Sequence, residues 1–149
     1  MAQLSKEQDS LIKGWIKTAG EQYYVYSIIK KNEPDVKILF RQKYNALCQS
    51  IELALKTFLI QKGNSVKDVK AFGHDLIKLL DTAYEEYGLI ISPDVYEMLA
   101  IINPDYKSRK LLYFEEEYTL PSDIGALEDT AKLLLSKVTY DNQNKFIAQ

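Results

Sequence analysis

The segment from Ser50 to Leu80 most constrains the fold, because it joins an apolar helix pattern, a glycine turn and the only histidine of the chain. Apolar residues recur at threes and fours in and just before its first half, at Leu47, Ile51, Ala54, Leu55 and Phe58. This spacing is typical of a helix with a buried face. Leu53 and Ile60 widen that face, so we expect this helix, from about Pro34 to Gln61, to be the most buried element.

The same periodicity predicts the other long helices. They are expected at Lys6–Lys31, as a long N-terminal helix within residues 1–33, and at His74–Tyr87, Pro93–Ile101 and Ser122–Thr139. Ser65 and Asp68 have the spacing of a capping box. This pair predicts that the chain turns helical again directly after the second helix, at least to Phe72.

The remaining segments complete the prediction of a single helical domain. Residues 103–121 show no clear period and are predicted to be irregular or a helical extension, and the tail 141–149 is predicted to fray. The sequence contains no alternating strand pattern, no repeat and no low-complexity linker. We therefore expect residues 1–149 to form an all-α, up-and-down bundle of about five helices. The first two should be antiparallel because a short connection joins them.

Composition narrows the range of partners. The formal net charge is -2 and is spread along the chain, so any nucleic-acid phosphate site must be local. The single cysteine, Cys48, excludes an intramolecular disulfide and fits a reducing compartment. The first twenty residues lack a secretory pattern, and no stretch approaches the roughly 18 apolar residues of a membrane span. We expect a cytoplasmic protein without membrane association.

Metal and cofactor chemistry has little basis in the sequence. One histidine and one cysteine lack every zinc-site spacing, and the phosphate-loop and nucleophile-elbow motifs are absent, so we expect no metal and no cofactor. Four carboxylates remain conceivable Mg²⁺ ligands, although their spacing favours a solvated helix face: Asp75, Asp81, Glu85 and Glu86. A Cys48–His74 dyad is disfavoured by the apolar surroundings of the thiol.

The candidate site is the basic segment around the start of the third predicted helix. It combines His74, as a catalytic acid or base, with phosphate-binding candidates at Lys67, Lys70, Asp75 and Lys78. A helix N-terminus presents free N–H groups to an anion, so a nucleotide or RNA phosphate fits there. The alternative interpretation is structural: His74 caps the helix or bonds a backbone carbonyl of a neighbouring helix.

The pattern SIELALKTFLIQKG followed by KAFGHDLIKLLDTA resembles the HEPN family of helical domains over about residues 44–89. The later stretch DYKSRKLLYFEEEYTLP loosely resembles the Arg-Tyr region before the final helix of that family. The resemblance implies an up-and-down bundle, commonly a homodimer with polar residues of both chains in the interface cleft. Many members are metal-independent ribonucleases of toxin or defence systems, with four to six residues between a signature arginine and a histidine.

His74 matches the histidine of that signature, whereas Lys67 stands where the arginine would be. An ammonium group keeps the charge but lacks the planar fork that binds phosphate bidentately. The first hypothesis is therefore a non-catalytic or degenerate HEPN-like homodimer that binds a nucleotide or RNA and belongs to a toxin–antitoxin or phage-defence system. One alternative is a metal-independent endoribonuclease that uses His74. The other is a protein-interaction or dimerisation module without a ligand site.

Overall fold

The computed structural model describes residues 3–32, 40–109, 111 and 124–144. Within these residues all regular structure is helical, which confirms the predicted all-α bundle. The described helices number six rather than five because the segment after the second helix forms a separate single turn. They are α1 (Lys6–Asn32), α2 (Phe40–Gln61), α3 (Val66–Lys70), α4 (Leu76–Tyr87), α5 (Pro93–Lys107) and α6 (Gly125–Gln143).

The second helix, α2, is the centre of the bundle. It packs against α1, α3, α4 and α6. Between residues 43 and 60 every residue is buried except Asn45, Gln49 and Leu53, which are four apart and form one narrow strip. The prediction that this helix is the most buried element is confirmed.

The first two helices lie antiparallel, as predicted. Near the middle of α2, the Ser50 hydroxyl donates a hydrogen bond of 2.9 Å to the carbonyl oxygen of Ala19 in α1. At the start of α1, the Gln8 side-chain amide donates to the carbonyl oxygen of Asn64, just past the end of α2, at 3.3 Å. The beginning of one helix therefore meets the end of the other.

The last helix runs antiparallel to α1 and parallel to α2. The Tyr26 hydroxyl, late in α1, donates to a carboxylate oxygen of Glu128, early in α6, at 2.9 Å. The Gln61 amide at the end of α2 donates to the carbonyl oxygen of Val138, near the end of α6, at 2.9 Å. These two contacts fix the direction of α6 along the central helix.

The short α3 and the turn after it carry the chain back along α2. Ser65 caps α3 through a 3.1 Å hydrogen bond from the Asp68 N–H to its hydroxyl, as the capping-box spacing predicted. In the turn, Gly73 has a φ of 59°, a left-handed conformation that other residues rarely adopt. α4 then runs in the same direction as α2, because Tyr87 at its end packs edge-on against Phe58. The residues just before α4 consequently lie beside the middle of α2.

Two predicted boundaries around this turn are wrong. α3 ends at Lys70 and does not reach Phe72. α4 begins at Leu76 rather than at His74, because Asp75 has extended backbone angles and is the N-cap of the helix. His74 therefore belongs to the turn and not to a helix face.

The fourth long helix is longer than predicted. α5 continues past Ile101 to Lys107 and contains Pro104. A proline in a helix leaves the carbonyl four residues earlier without its donor, here that of Ala100. Both residues are exposed, so water can bind the freed carbonyl. Of the two alternatives predicted for residues 103–121, the helical extension is confirmed for residues 103–107.

The C-terminal boundary also differs from the prediction. α6 extends to Gln143, so residues 141–143, predicted to fray, are helical. The predicted helix starts at Pro34 and Ser122, residues 112–121 and the tail 145–149 lie outside the described residues.

Candidate functional site

A buried carboxylate on α2 connects this helix to α5 and to the turn before α4. Glu52 Oε1 lies 2.9 Å from His74 Nδ1 and accepts a 2.8 Å hydrogen bond from the Tyr106 hydroxyl on α5. Glu52 Oε2 accepts a 3.0 Å hydrogen bond from Lys56 Nζ, one turn further along α2. We call these four residues the Glu52 cluster.

The burial of this cluster was not expected from the sequence. Glu52 and Lys56 have the spacing of an intrahelical ion pair and do form one, but their side chains are only 4% and 9% exposed. A spacing of four residues predicts an ion pair on the polar strip of a helix, and it does not predict that the pair is buried. A buried carboxylate is costly unless hydrogen bonds and an opposite charge compensate it. Three donors satisfy Glu52, which explains why it tolerates this position.

The hydrogen bond to Glu52 determines which nitrogen of the His74 ring carries a proton. A carboxylate only accepts hydrogen bonds, so Nδ1 carries a proton and donates it to Glu52. The other ring nitrogen, Nε2, has no hydrogen bond to the described residues. Since 39% of the side chain is exposed, Nε2 is the atom of this ring that can meet a ligand.

The structural alternative proposed for His74 is therefore wrong in both forms. The cap of α4 is Asp75, and the partner of the imidazole is a side-chain carboxylate rather than a backbone carbonyl. A carboxylate that holds one nitrogen of a histidine fixes the tautomer and the orientation of the ring. This arrangement is frequent in sites where the opposite ring nitrogen binds a ligand or transfers a proton.

Tyr106 forms the wall of the site behind His74. Their rings meet edge to face, with centroids 6.3 Å apart and an interplanar angle of 83°. Burial, followed by the charge of Glu52 and the hydrogen bond to it, raises the pKa of the Tyr106 hydroxyl well above its usual range. The hydroxyl is therefore a permanent donor to Glu52. The positive charge of Arg109 acts in the opposite direction on the same pKa, which places this guanidinium in the electrostatic environment of the cluster.

A second set of hydrogen bonds lies next to His74, around Asp75. Its Oδ1 accepts from the Lys78 N–H and from the Asn103 amide, each at 3.1 Å, and its Oδ2 accepts from Lys107 Nζ at 3.1 Å. Asn103 Oδ1 in turn accepts from the Leu76 N–H at 2.9 Å. Partial burial opposes ionisation of Asp75, but these three donors outweigh it and lower the pKa of the carboxyl group.

These hydrogen bonds occupy part of the N-terminus of α4, which the sequence predicted to be an anion site. The N–H groups of Leu76 and Lys78 already have acceptors within the protein. A phosphate near Asp75 therefore finds these two N–H groups occupied and depends mainly on side chains. Asp75 itself carries a negative charge, so its contribution is to hold α4 and α5 together.

The three candidate lysines are exposed. Lys67 and Lys70 lie on α3, and Lys78 lies in the first turn of α4, on either side of the turn that contains His74. Their ammonium groups make no hydrogen bond or ion pair with the described residues. They are thus free to meet an anion, and their role in phosphate binding stays a prediction.

Sequence reasoning missed the residues that α5 contributes. Asn103 bonds Asp75 and Tyr106 bonds Glu52 because α5 continues beyond the point where a helix was expected to stop. Arg109 has a φ of 69° just past the end of α5, in the left-handed region that is uncommon for residues other than glycine. The spacing of Leu99, Ile102 and Tyr106 by three and four was the available signal for this extension.

The other chemical candidates have different environments. Cys48 is fully buried, and burial, with the charge of Glu52, raises the pKa of its thiol far above the usual value. It is therefore an inert core residue and no nucleophile. Asp81 accepts a 2.7 Å hydrogen bond from the Tyr96 hydroxyl of α5. Across the part of the chain that the structure describes, no three His, Cys, Asp or Glu side chains are grouped to hold a metal.

The fold and the site together define an all-helical protein in which a buried carboxylate orients a half-exposed histidine. None of the described helices combines the length and apolar character needed to cross a bilayer. In comparisons with protein-family models, with curated proteins and with solved structures, nothing matches this chain. The HEPN resemblance accordingly stays a prediction from the sequence.

Proposed function

We propose that the protein is a HEPN-like, nucleotide- or RNA-phosphate-binding protein that acts as a cytoplasmic homodimer in a toxin–antitoxin or phage-defence system. The observation that carries the phosphate site is the hydrogen bond of 2.9 Å between His74 Nδ1 and the buried Glu52 carboxylate. It holds the ring so that Nε2 points away from its internal partner. The homodimer and the defence setting rest on the sequence resemblance alone.

Charge around the ring supports a phosphate ligand. Lys67, Lys70 and Lys78 are exposed on both sides of the His74 turn, and Arg109 lies past the end of α5. Side chains of this type bind phosphate oxygens through charge-assisted hydrogen bonds. Because the net charge of the protein is -2, such a local group of cations is the feature that would attract a polyanion.

Ligand-induced stabilisation tests this proposal. A ligand at about one hundred times its Kd stabilises the folded state by about 2.7 kcal/mol, so nucleotides or short single-stranded RNA should raise the melting temperature. Lys78→Ala and Arg109→Ala should reduce the shift, whereas Lys132→Ala on α6, an exposed lysine outside the site, should leave it unchanged. Absence of any shift with every nucleotide and RNA tested would contradict phosphate binding.

The same hydrogen bond favours a second candidate, a metal-independent ribonuclease. In that reaction His74 Nε2 takes the proton of a ribose 2′-hydroxyl, and the 2′-oxygen attacks the adjacent phosphorus. The bond from phosphorus to the 5′-oxygen breaks, and that oxygen takes a proton from a lysine or from water. The products are a 2′,3′-cyclic phosphate and a 5′-hydroxyl end.

Cleavage assays separate this candidate from simple binding. His74→Ala should abolish cleavage of single-stranded RNA, and Lys67→Ala should weaken it through lost phosphate contact. Equal cleavage by the parent and by His74→Ala would assign the activity to a contaminant. No cleavage by the parent, together with RNA-dependent stabilisation, would leave the binding function alone.

The dimer is tested independently of the ligand. Sedimentation at micromolar concentration should give a mass of about twice the 17.2 kDa of one chain. A monomer at all concentrations would contradict the homodimer while leaving the phosphate site intact.

A further inference from the structure

A pocket between α1 and α2 lies apart from the Glu52 cluster. Its volume is about 220 Å³. This is smaller than the roughly 300–1,000 Å³ of sites for drug-sized ligands, so the pocket suits one flat ring system rather than a whole nucleotide. The described residues that line it are Gln22, Val25, Ile29, Gln42, Asn45, Ala46 and Leu111.

The lining combines carboxamides with apolar walls. Gln22, Val25 and Ile29 share one stripe of α1, and Gln42, Asn45 and Ala46 share one face of α2, at spacings of three, four and seven. Two antiparallel helices thus bring three carboxamide groups to one cavity.

The carboxamides of Gln22, Gln42 and Asn45 make no hydrogen bond to other described residues. Each offers one acceptor and two donor hydrogens in a plane. Carboxamides pair with the edges of nucleobases in this way, with Asn and Gln contacting adenine through two hydrogen bonds. The apolar side chains of Val25, Ile29 and Leu111 supply surfaces for the face of a ring.

On α2, the pocket lies closer to the N-terminus of the helix than the Glu52 cluster does. Asn45 precedes Glu52 by seven residues, which is about 10 Å along the helix axis and nearly the same angular position. Tyr106 of α5 contacts Glu52, and Leu111, four residues past the end of α5, lines the pocket with Asn45 and Ala46. The pocket therefore lies about two turns of α2 from the carboxylate that holds His74.

We propose that this pocket binds a nucleobase, and that it is the base subsite of the nucleotide or RNA whose phosphate is held near His74. The inference rests on the proposed function for the connection to phosphate. The pocket by itself requires only a planar ring with hydrogen-bonding edges. A purine, which offers two edge positions to a carboxamide, is the ligand class that this chemistry favours.

Phosphate-free nucleosides test the pocket separately from the phosphate site. In ¹⁵N-labelled protein, adenosine or guanosine should shift the side-chain amide signals of Gln22, Gln42 and Asn45, while inorganic phosphate should leave them in place. Gln42→Leu should weaken nucleoside binding about tenfold, the effect of losing one two-bond contact. Gln42 is exposed and leucine is a good helix former, so this variant should fold. Gln143→Leu, at an exposed position of α6 and outside the pocket, is the matched control.

The outcomes distinguish the two proposals. Adenosine monophosphate that binds the parent and Gln42→Leu equally, with no nucleoside-dependent shift of the three amides, would overturn the base subsite and leave the phosphate site standing. Nucleoside shifts in the pocket together with equal adenosine monophosphate binding by the parent and His74→Ala would support the pocket and overturn the phosphate site. Binding of neither nucleosides nor phosphates would overturn both.

Discussion

At the scale of single residues, Glu52 is the group on which most of the site depends. Its carboxylate accepts from Lys56, His74 and Tyr106 and is almost completely buried. A fully compensated buried charge contributes little by itself, but removal of one partner leaves the others without compensation. The cluster therefore responds asymmetrically to single and double substitutions.

We expect Glu52→Gln to destabilise the protein by about 3–5 kcal/mol, because the Lys56 ammonium remains buried without an opposite charge. The double variant Glu52→Gln with Lys56→Met removes both charges and keeps an acceptor for Tyr106 and His74, so it should recover most of the loss. Urea unfolding of the parent, both single variants and the double variant measures the coupling.

An exposed ion pair on α1 provides the control for this cycle. Lys13 forms an i,i+4 pair with Asp9, and its side chain is 61% exposed. Lys13→Ala should change the unfolding midpoint little, because exposed pairs gain little in water. Additive effects of Glu52→Gln and Lys56→Met would show that the two residues do not form a coupled buried pair.

The sequence pointed to His74 because it is the only histidine of the chain. The spacing of four between Glu52 and Lys56 indicates an ion pair along one helix, but it does not show that the pair holds His74. Periodicity along one helix reports which residues share a face, but it does not report which other helix covers that face. The burial of Glu52 depends on Tyr106, which is 54 residues away, and no local pattern contains that contact.

At the scale of helices, Asp75 connects the start of α4 to the end of α5. It caps α4 through the Lys78 N–H and reaches α5 through Asn103 and Lys107. This contact sets the position of the turn that holds His74. Its strength depends on the charge of a single carboxyl group.

Asp75→Ala should cost about 0.5–2 kcal/mol through loss of the cap, whereas Asp75→Asn should cost less because asparagine also caps helices. The asparagine keeps an acceptor for Lys78 and Asn103 and loses the ion pair with Lys107. Thermal or urea unfolding of both variants at neutral pH checks the order. Equal losses would show that the ion pair rather than the cap supplies the stability.

The stability difference between the parent and Asp75→Asn should depend on pH. The pKa of Asp75 is lower in the folded state than its ordinary value of 3.8. The stabilisation from the charge is therefore complete above pH of about 4 and is lost as the pH falls through the lowered value. Unfolding curves between pH 2 and 6 measure this, and a constant difference across that range would contradict it.

The C-terminal end of α4 depends on a glycine, Gly88. Gly88 follows α4 with a φ of 68°, and its N–H and that of Leu89 bond the carbonyls of Tyr84 and Ala83. Gly88→Ala should destabilise by about 1 kcal/mol, because alanine is strained in this conformation. Gly14→Ala, in the interior of α1 with open space around it, should instead stabilise by about 0.5–1 kcal/mol. The same sign for both substitutions in urea unfolding would refute this explanation.

The helix boundaries show where sequence patterns stopped being informative. The starts of α3 and α5 followed from Ser65 and Pro93 because caps are local chemistry. The end of α5 did not follow from the sequence, because a proline such as Pro104 usually ends a helix. Its cost is small where the freed carbonyl meets water, and tertiary packing of Tyr106 then holds the helix.

At the scale of the whole molecule, one hydrophobic core connects the long helices. Buried residues of α1, α2, α4, α5 and α6 belong to a single cluster, with α2 at its centre. A domain with one core unfolds as one unit, because no helix can leave without exposing the others. The single tryptophan, Trp15, lies on α1 at the edge of this core and reports on it separately from the total helix content.

We therefore expect one cooperative unfolding transition, with the same midpoint by Trp15 fluorescence and by far-ultraviolet circular dichroism. Leu55→Ala, at a fully buried position of α2, should cost about 2–5 kcal/mol and lower both midpoints equally, since its cavity affects every helix packed on α2. Leu133→Ala, at a position of α6 that is 64% exposed, should change stability by less than about 0.5 kcal/mol. Separate midpoints for the two signals, or a lowered midpoint for only one of them in Leu55→Ala, would show that α1 unfolds independently of the core around α2.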